Sequence, residues 1–220
     1  MRNLWQLFGG RSGQRPQPIC KPPFPALIRD EFGDGKPKCF FWEGRVKSES
    51  WCGFASEAEL KASFGSAEIP TEGDLVVSVS PVNLSSPEPT EAQCRAFQHL
   101  LDNEKAIRDA VLQGIFEAYP EWRRSYFGPI SMDGGKSSRP IAEFPDLYHP
   151  EMMPEVCGPE ELMRLIRPHT IHVLAEPFDG YTRIGFGFDC KWDEEHGLGV
   201  LTHQGKVVSV GDGTEAFDPR

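Results

Sequence analysis

Phe97, Leu100, Leu101, Ile107, Val111 and Ile115 recur at helical spacing through EAQCRAFQHLLDNEKAIRDAVLQGIFEAY. A one-sided apolar stripe of that length has to be buried against a second layer, so it limits the fold to helix on helix or helix on sheet. Thr90 is placed to cap the stripe, with Glu91 in the first turn where a negative charge suits the helix dipole. The spacing predicts one helix over about residues 91–118, roughly 42 Å long, with a bend or break near Asn103 or Gly114.

The C-terminal quarter supplies the second layer. YTRIGFGFDC puts Ile184, Phe186, Phe188 and Cys190 on one face of a strand and Arg183, Gly185, Gly187 and Asp189 on the other. TIHVLA alternates in the same way, and LGVLTHQGKVVSVG carries Gln204-Gly205 between two valine-bearing stretches, the pattern of a hairpin. Strands at about 170–175, 181–191, 198–203 and 206–210 are expected to form an antiparallel β-meander. CFFWEGRV, WCGF and DLVVSVSPV add short strands upstream. The fold class is α+β: the meander packed against one long helix and a short second helix, PEELMRLIR, which has proline at its first position and is stopped by Pro168.

Residues 1–38 mix Pro, Gly and basic residues without periodicity and are expected to form an extended lead-in to a single domain over 39–217. A Pro/Gly-rich surface excursion is expected at about 120–157. The chain of 220 residues can bury a core without disulfides, and its 39% hydrophobic and 25% charged residues are ordinary for a globular protein. Its six cysteines form no Cys-x-x-Cys pair, and without an export signal they are expected to be reduced and mostly core-packed. No stretch reaches the length of a membrane span, and a cytoplasmic location is expected. The net charge of −10 disfavours nucleic acid and anionic membrane and favours a basic protein partner.

One loop carries the candidate site: Trp192, Asp193, Glu194, Glu195, His196 and Gly197, between two strands. Carboxylates and an imidazole suit divalent metals, yet adjacent residues on a tight turn cannot all converge on one ion. The simpler reading is a polar turn in which Asp193 caps and Gly197 takes a positive φ. A histidine among carboxylates serves structure as readily as catalysis. No catalytic residue, metal or cofactor is therefore assigned, and the six residues are read as a binding loop. The alternative is a metal-assisted hydrolase or transferase using Asp193, Glu195 and His196.

Other polar features are weaker. His169 and His172, three apart on a strand, are expected on opposite faces. Gly185 and Gly187 imply that a backbone, a ring or a ligand comes close, with packing by a neighbouring Trp favoured. DGGKSS lacks the phosphate-loop spacing.

The run Cys190-x-Trp192-Asp193-x-Glu195-His196-Gly197-Leu198-Gly199-Val200, followed by Gly205-Lys206-Val207-Val208 and Val210-Gly211, resembles the signature of an uncharacterised bacterial domain family. WEGRV, WCGF and LLDNEKAIRDAVLQGIFEAYP are similar to its earlier parts, so the resemblance covers roughly residues 39–217, with MDGGKSSRP as an insertion. It implies an α+β bacterial protein with no catalytic residues to carry over. It also implies small, acidic, cytoplasmic relatives, some resembling members of toxin-immunity neighbourhoods.

Overall fold

The computed structural model describes residues 17–32, 39–56, 60, 73–132, 135–144 and 147–217. Its strands are β1 (Ile28–Phe32), β2 (Cys39–Lys47), β3 (Asp74–Val79), β4 (Ile130–Met132), β5 (Ser137–Arg139), β6 (Ile166–Phe178), β7 (Tyr181–Cys190), β8 (Leu198–His203) and β9 (Lys206–Gly211). Two α-helices, α1 (Glu91–Asp102) and α2 (Glu104–Tyr126), lie between β3 and β4. Seven strands form one sheet in the order β1-β2-β3-β6-β7-β8-β9, and β4 pairs with β5 separately.

The architecture is α+β, and the seven-stranded sheet is mixed. β6 to β9 pair antiparallel in chain order, whereas β3 joins β6 in parallel, with Val77 opposite Ile171. A parallel neighbour requires a long crossover, and α1 and α2 lie within it. Of the expected lead-in, residues 28–32 form edge strand β1, while Phe24 and Leu27 are buried in the core. Thus part of the lead-in belongs to the sheet, held by burial of its apolar side chains.

In place of one long helix there are two, divided at Asn103, whose φ of −131° and ψ of 22° are not helical. The Asn103 side-chain Nδ2 donates to the His99 carbonyl at 2.9 Å, a local bond that competes with continuing the ladder. Thr90 caps α1 as expected and forms a capping box with Gln93. α2 runs beyond residue 118, through Pro120 to Tyr126. Proline forfeits one helical hydrogen bond, but Tyr119 is fully buried and Trp122 and Tyr126 pack against the core, so packing overrides propensity.

The remainder of the expected excursion is also partly tied down: Met153 is fully buried, the Tyr119 hydroxyl donates to the Pro154 carbonyl at 2.8 Å, and Arg123 Nε donates to the Met153 carbonyl at 3.0 Å. The expected short helix is of the 3-10 type, Pro159–Arg164, with proline in its first turn. Pro168 lies inside β6 instead of ending a helix. With no N–H to give the ladder, it falls at a register shift between Pro168 and Thr170.

One face of the sheet carries Trp42, Val77, Val79, Ile171, Val173, Phe186 and Phe188, all buried. Phe97, Leu100, Ile107, Val111 and Ile115 of the helices close over that face in the same core cluster. Trp51 stacks on Phe186 with ring centroids 5.0 Å apart. The apolar side of β7 therefore meets the helical stripe that the sequence pattern demanded.

On the opposite face the glycines have a specific role. A Cβ on Gly185 would lie 1.7 Å from the Ala216 carbonyl oxygen, and one on Gly199 would lie 2.5 Å from the Asp212 carbonyl oxygen. The 3-10 turn Gly213–Ala216 rests directly on these two backbones. Gly187 instead faces the His169 ring, at 2.9 Å from a built Cβ. The close neighbours are thus a backbone turn and an imidazole, not the expected Trp.

Candidate functional site

The loop between β7 and β8 is built from its own backbone. Asp193 Oδ1 accepts from the His196 amide at 2.9 Å and lies 3.1 Å from His196 Nδ1. The Gly197 amide donates to the Asp193 carbonyl at 3.0 Å, and Gly197 leaves the turn at φ +66°. An added Cβ there would meet the Phe188 carbonyl oxygen at 2.6 Å. Strain in the left-handed region makes Gly197→Ala cost about 1 to 2 kcal/mol. Thermal denaturation checks this, and an unchanged melting temperature would show that the glycine is not required.

Glu194, Glu195 and His196 are exposed. Asp193 and His196 come together; Glu194 and Glu195 point their charge to solvent rather than join them. Among the described residues, no group of three or more His, Cys, Asp or Glu side chains is arranged to hold a metal ion. Burial pushes the Cys190 thiol up to about 12, and that thiol donates to the Asp193 carbonyl at 3.5 Å. A thiol so protonated is a support for the loop and not a nucleophile.

Trp192 turns inward. Its ring meets Tyr119 edge-on at 5.4 Å and lies 6.1 Å from Trp122 at an interplanar angle of 31°. Beside it is a groove of about 310 Å³ lined by Trp122, Tyr126, Met153, Trp192, Asp193 and Asp212, together with Ser125 and Gly197. Asp212 is fixed as the cap of the 3-10 turn, accepting from the Thr214 amide at 2.9 Å. The loop, the C-terminal part of α2 and the end of β9 therefore share one concavity.

The sequence reading missed Trp122, Tyr126, Met153 and Asp212. Tyr119, Trp122 and Tyr126 fall at helical spacing on one face, a signal that reappears once the helix is continued through Pro120. Met153 and Asp212 gave no local signal.

His169 and His172 share the second face of the sheet, contrary to the strand rule, because the register shift between Pro168 and Thr170 makes His169 itself the extra, unpaired residue of the strand. His169 contacts Thr170 Oγ1 at 2.7 Å, and the His172 ring lies 5.4 Å from Phe217. Burial pushes His172 down to about 4, with His169 adding to the effect. His169 is also lowered, chiefly by burial, with Asp189 opposing and Arg167 reinforcing.

No helix among the described residues is long and apolar enough to cross a membrane. No curated protein and no solved structure matches the chain. One family model does match, over residues 42–217, most of the core and all of the loop and groove. By that match the chain belongs to the family described as Domain of unknown function (DUF6985).

Proposed function

We propose that the protein is a non-enzymatic binding protein of the bacterial cytoplasm, which holds a basic protein partner on the face formed by the β7–β8 loop and the adjoining groove. Immunity-type neutralisation of a toxin is one form such binding takes. The carrying observation is the juxtaposition of an aromatic-lined groove with exposed carboxylates: Trp122, Tyr126 and Trp192 beside Glu194 and Glu195. Aromatic anchors in a concavity supply affinity, and surrounding charge supplies steering and choice of partner. The net charge of −10 favours the same class of partner. The hydrolase or transferase reading has less support, since Asp193 is engaged in capping the turn and Glu195 stands in solvent.

Affinity capture from the native cell, followed by binding kinetics with the purified captured protein, tests the reading. Replacing Glu194 and Glu195 by Gln should slow association several-fold at low salt and leave dissociation nearly unchanged, the difference shrinking as salt screens the charges. Failure to capture a partner under gentle conditions, together with hydrolysis of a model ester or phosphate that is lost in His196→Ala, would overturn it.

A further inference from the structure

We propose that the groove receives the side chain of an arginine from the basic partner, an inference that rests on the binding function above and names the group that is bound. The walls are two indoles, a phenol and the buried Met153, and the acidic groups are Asp193, from the loop, and Asp212, just after β9. No Lys or Arg side chain lines the groove among the described residues. The nearby guanidinium of Arg123 is directed elsewhere, its Nε to the Met153 carbonyl and its Nη1 to Glu155 at 3.6 Å.

Ring faces carry negative electrostatic potential and attract cations, indoles most strongly. Carboxylates beside them exclude an anion by repulsion. A neutral apolar group would desolvate the carboxylates without compensation. The rings and the carboxylates thus both select a cation. Among side-chain cations, the guanidinium is planar, stacks on aromatic faces, is weakly hydrated and can donate in parallel to a carboxylate. An ammonium lacks the plane and the fork. Asp193 uses Oδ1 for both of its bonds to His196, and Oδ2 has no protein partner among the described residues. Exposed Glu194 and Glu195 directly follow Asp193 in the same loop, so charges that steer a basic protein lie next to the place where one of its side chains is held.

The chain has five tryptophans, and their indole N–H signals in nitrogen-15 NMR separate the groove from the rest of the protein. The probes are the capped pentapeptide Gly-Gly-Arg-Gly-Gly and its lysine and citrulline counterparts, titrated to about 10 mM, the range for a single-side-chain ligand. The arginine peptide is expected to shift the Trp122 and Trp192 signals saturably and to leave Trp42 and Trp51 in place. Citrulline keeps the shape but loses the charge and should bind at least about tenfold more weakly. The lysine peptide should also bind more weakly than arginine.

Asp193→Asn combined with Asp212→Asn keeps an Oδ1 acceptor for the His196 and Thr214 amides while removing both charges, so unmoved Trp42 and Trp51 signals report an intact fold. This variant should weaken the arginine peptide about tenfold. Absence of shifts up to about 10 mM, equal binding of citrulline or lysine, or an unaffected double variant would each overturn the arginine assignment. If the assignment fails while Trp192→Ala still abolishes binding of the captured partner, the groove holds a different group and the binding function stands. If partner binding survives Trp192→Ala in a folded variant, the proposed binding face itself is overturned.

Discussion

Gly185→Ala is expected to destabilise the protein by about 3 kcal/mol, near the upper end of what overpacking a well-filled site costs. The added Cβ would stand 1.7 Å from the Ala216 carbonyl oxygen and 2.5 Å from the Ala216 carbonyl carbon, both backbone atoms that no rotamer change can move aside. Relief requires the turn Gly213–Ala216 to lift from β7. The neighbouring contact at Gly199, where a Cβ would be 2.7 Å from the Ala216 amide nitrogen, shows that the turn is seated over two strands at once. Lifting it also displaces Asp212, one edge of the groove. The melting temperature should fall by roughly 6 to 12 °C for a chain of this size, and amide exchange should accelerate first over residues 212–217. A melting temperature within experimental error of the parent would mean that the turn is not held against β7. Arginine-peptide binding should weaken in the same variant, linking a sheet glycine to the site through one short turn.

What could be read from the sequence was local or periodic. Ile184, Phe186, Phe188 and Cys190 alternate with glycine and charge, and all four are buried on the helix-facing side of β7. Asp193 and Gly197 make a turn whose bonds span four residues, so its geometry was implicit in the residue types. By contrast, the parallel pairing of β3 with β6 joins segments separated by both helices and leaves no local trace. β1, IRDEF, has no buried residue in its strand and reads as loop until β2 is beside it. Pro120 signalled a helix end, yet the burial of Tyr119 decided otherwise, and the walls Trp122 and Tyr126 went unseen with it. The site was half legible for that reason: the loop side is local, and the opposite side is assembled by tertiary packing. The two histidines illustrate the same limit. A strand pattern assigns faces only while the register holds, and one shift at Pro168 reverses the assignment.

That reversal has a measurable consequence, because His172 now lies in the second face against Phe217 with its titration pushed down to about 4 from the usual 6.5. Burial disfavours the charged imidazolium in the folded chain, while the unfolded chain takes up the proton freely. Between pH 6.5 and 4 the unfolded state therefore binds more protons, and stability rises with pH across that window. The contribution is fully present above about pH 6.5 and is lost progressively as the pH falls, the loss reaching about 2 to 3 kcal/mol by pH 4. His169, also lowered by burial, acts in the same direction. Asp109 is held below its ordinary 3.8 by hydrogen bonds from Lys105 and Arg108, so its contribution is lost in a more acidic range. Denaturant unfolding at pH 7, 6, 5 and 4 should show this decline, and His172→Gln, which cannot titrate, should have a shallower slope even if its stability at pH 7 is lower. Comparing slopes rather than levels separates titration from packing. Identical slopes in the two proteins would show that protonation of His172 does not drive the acid sensitivity.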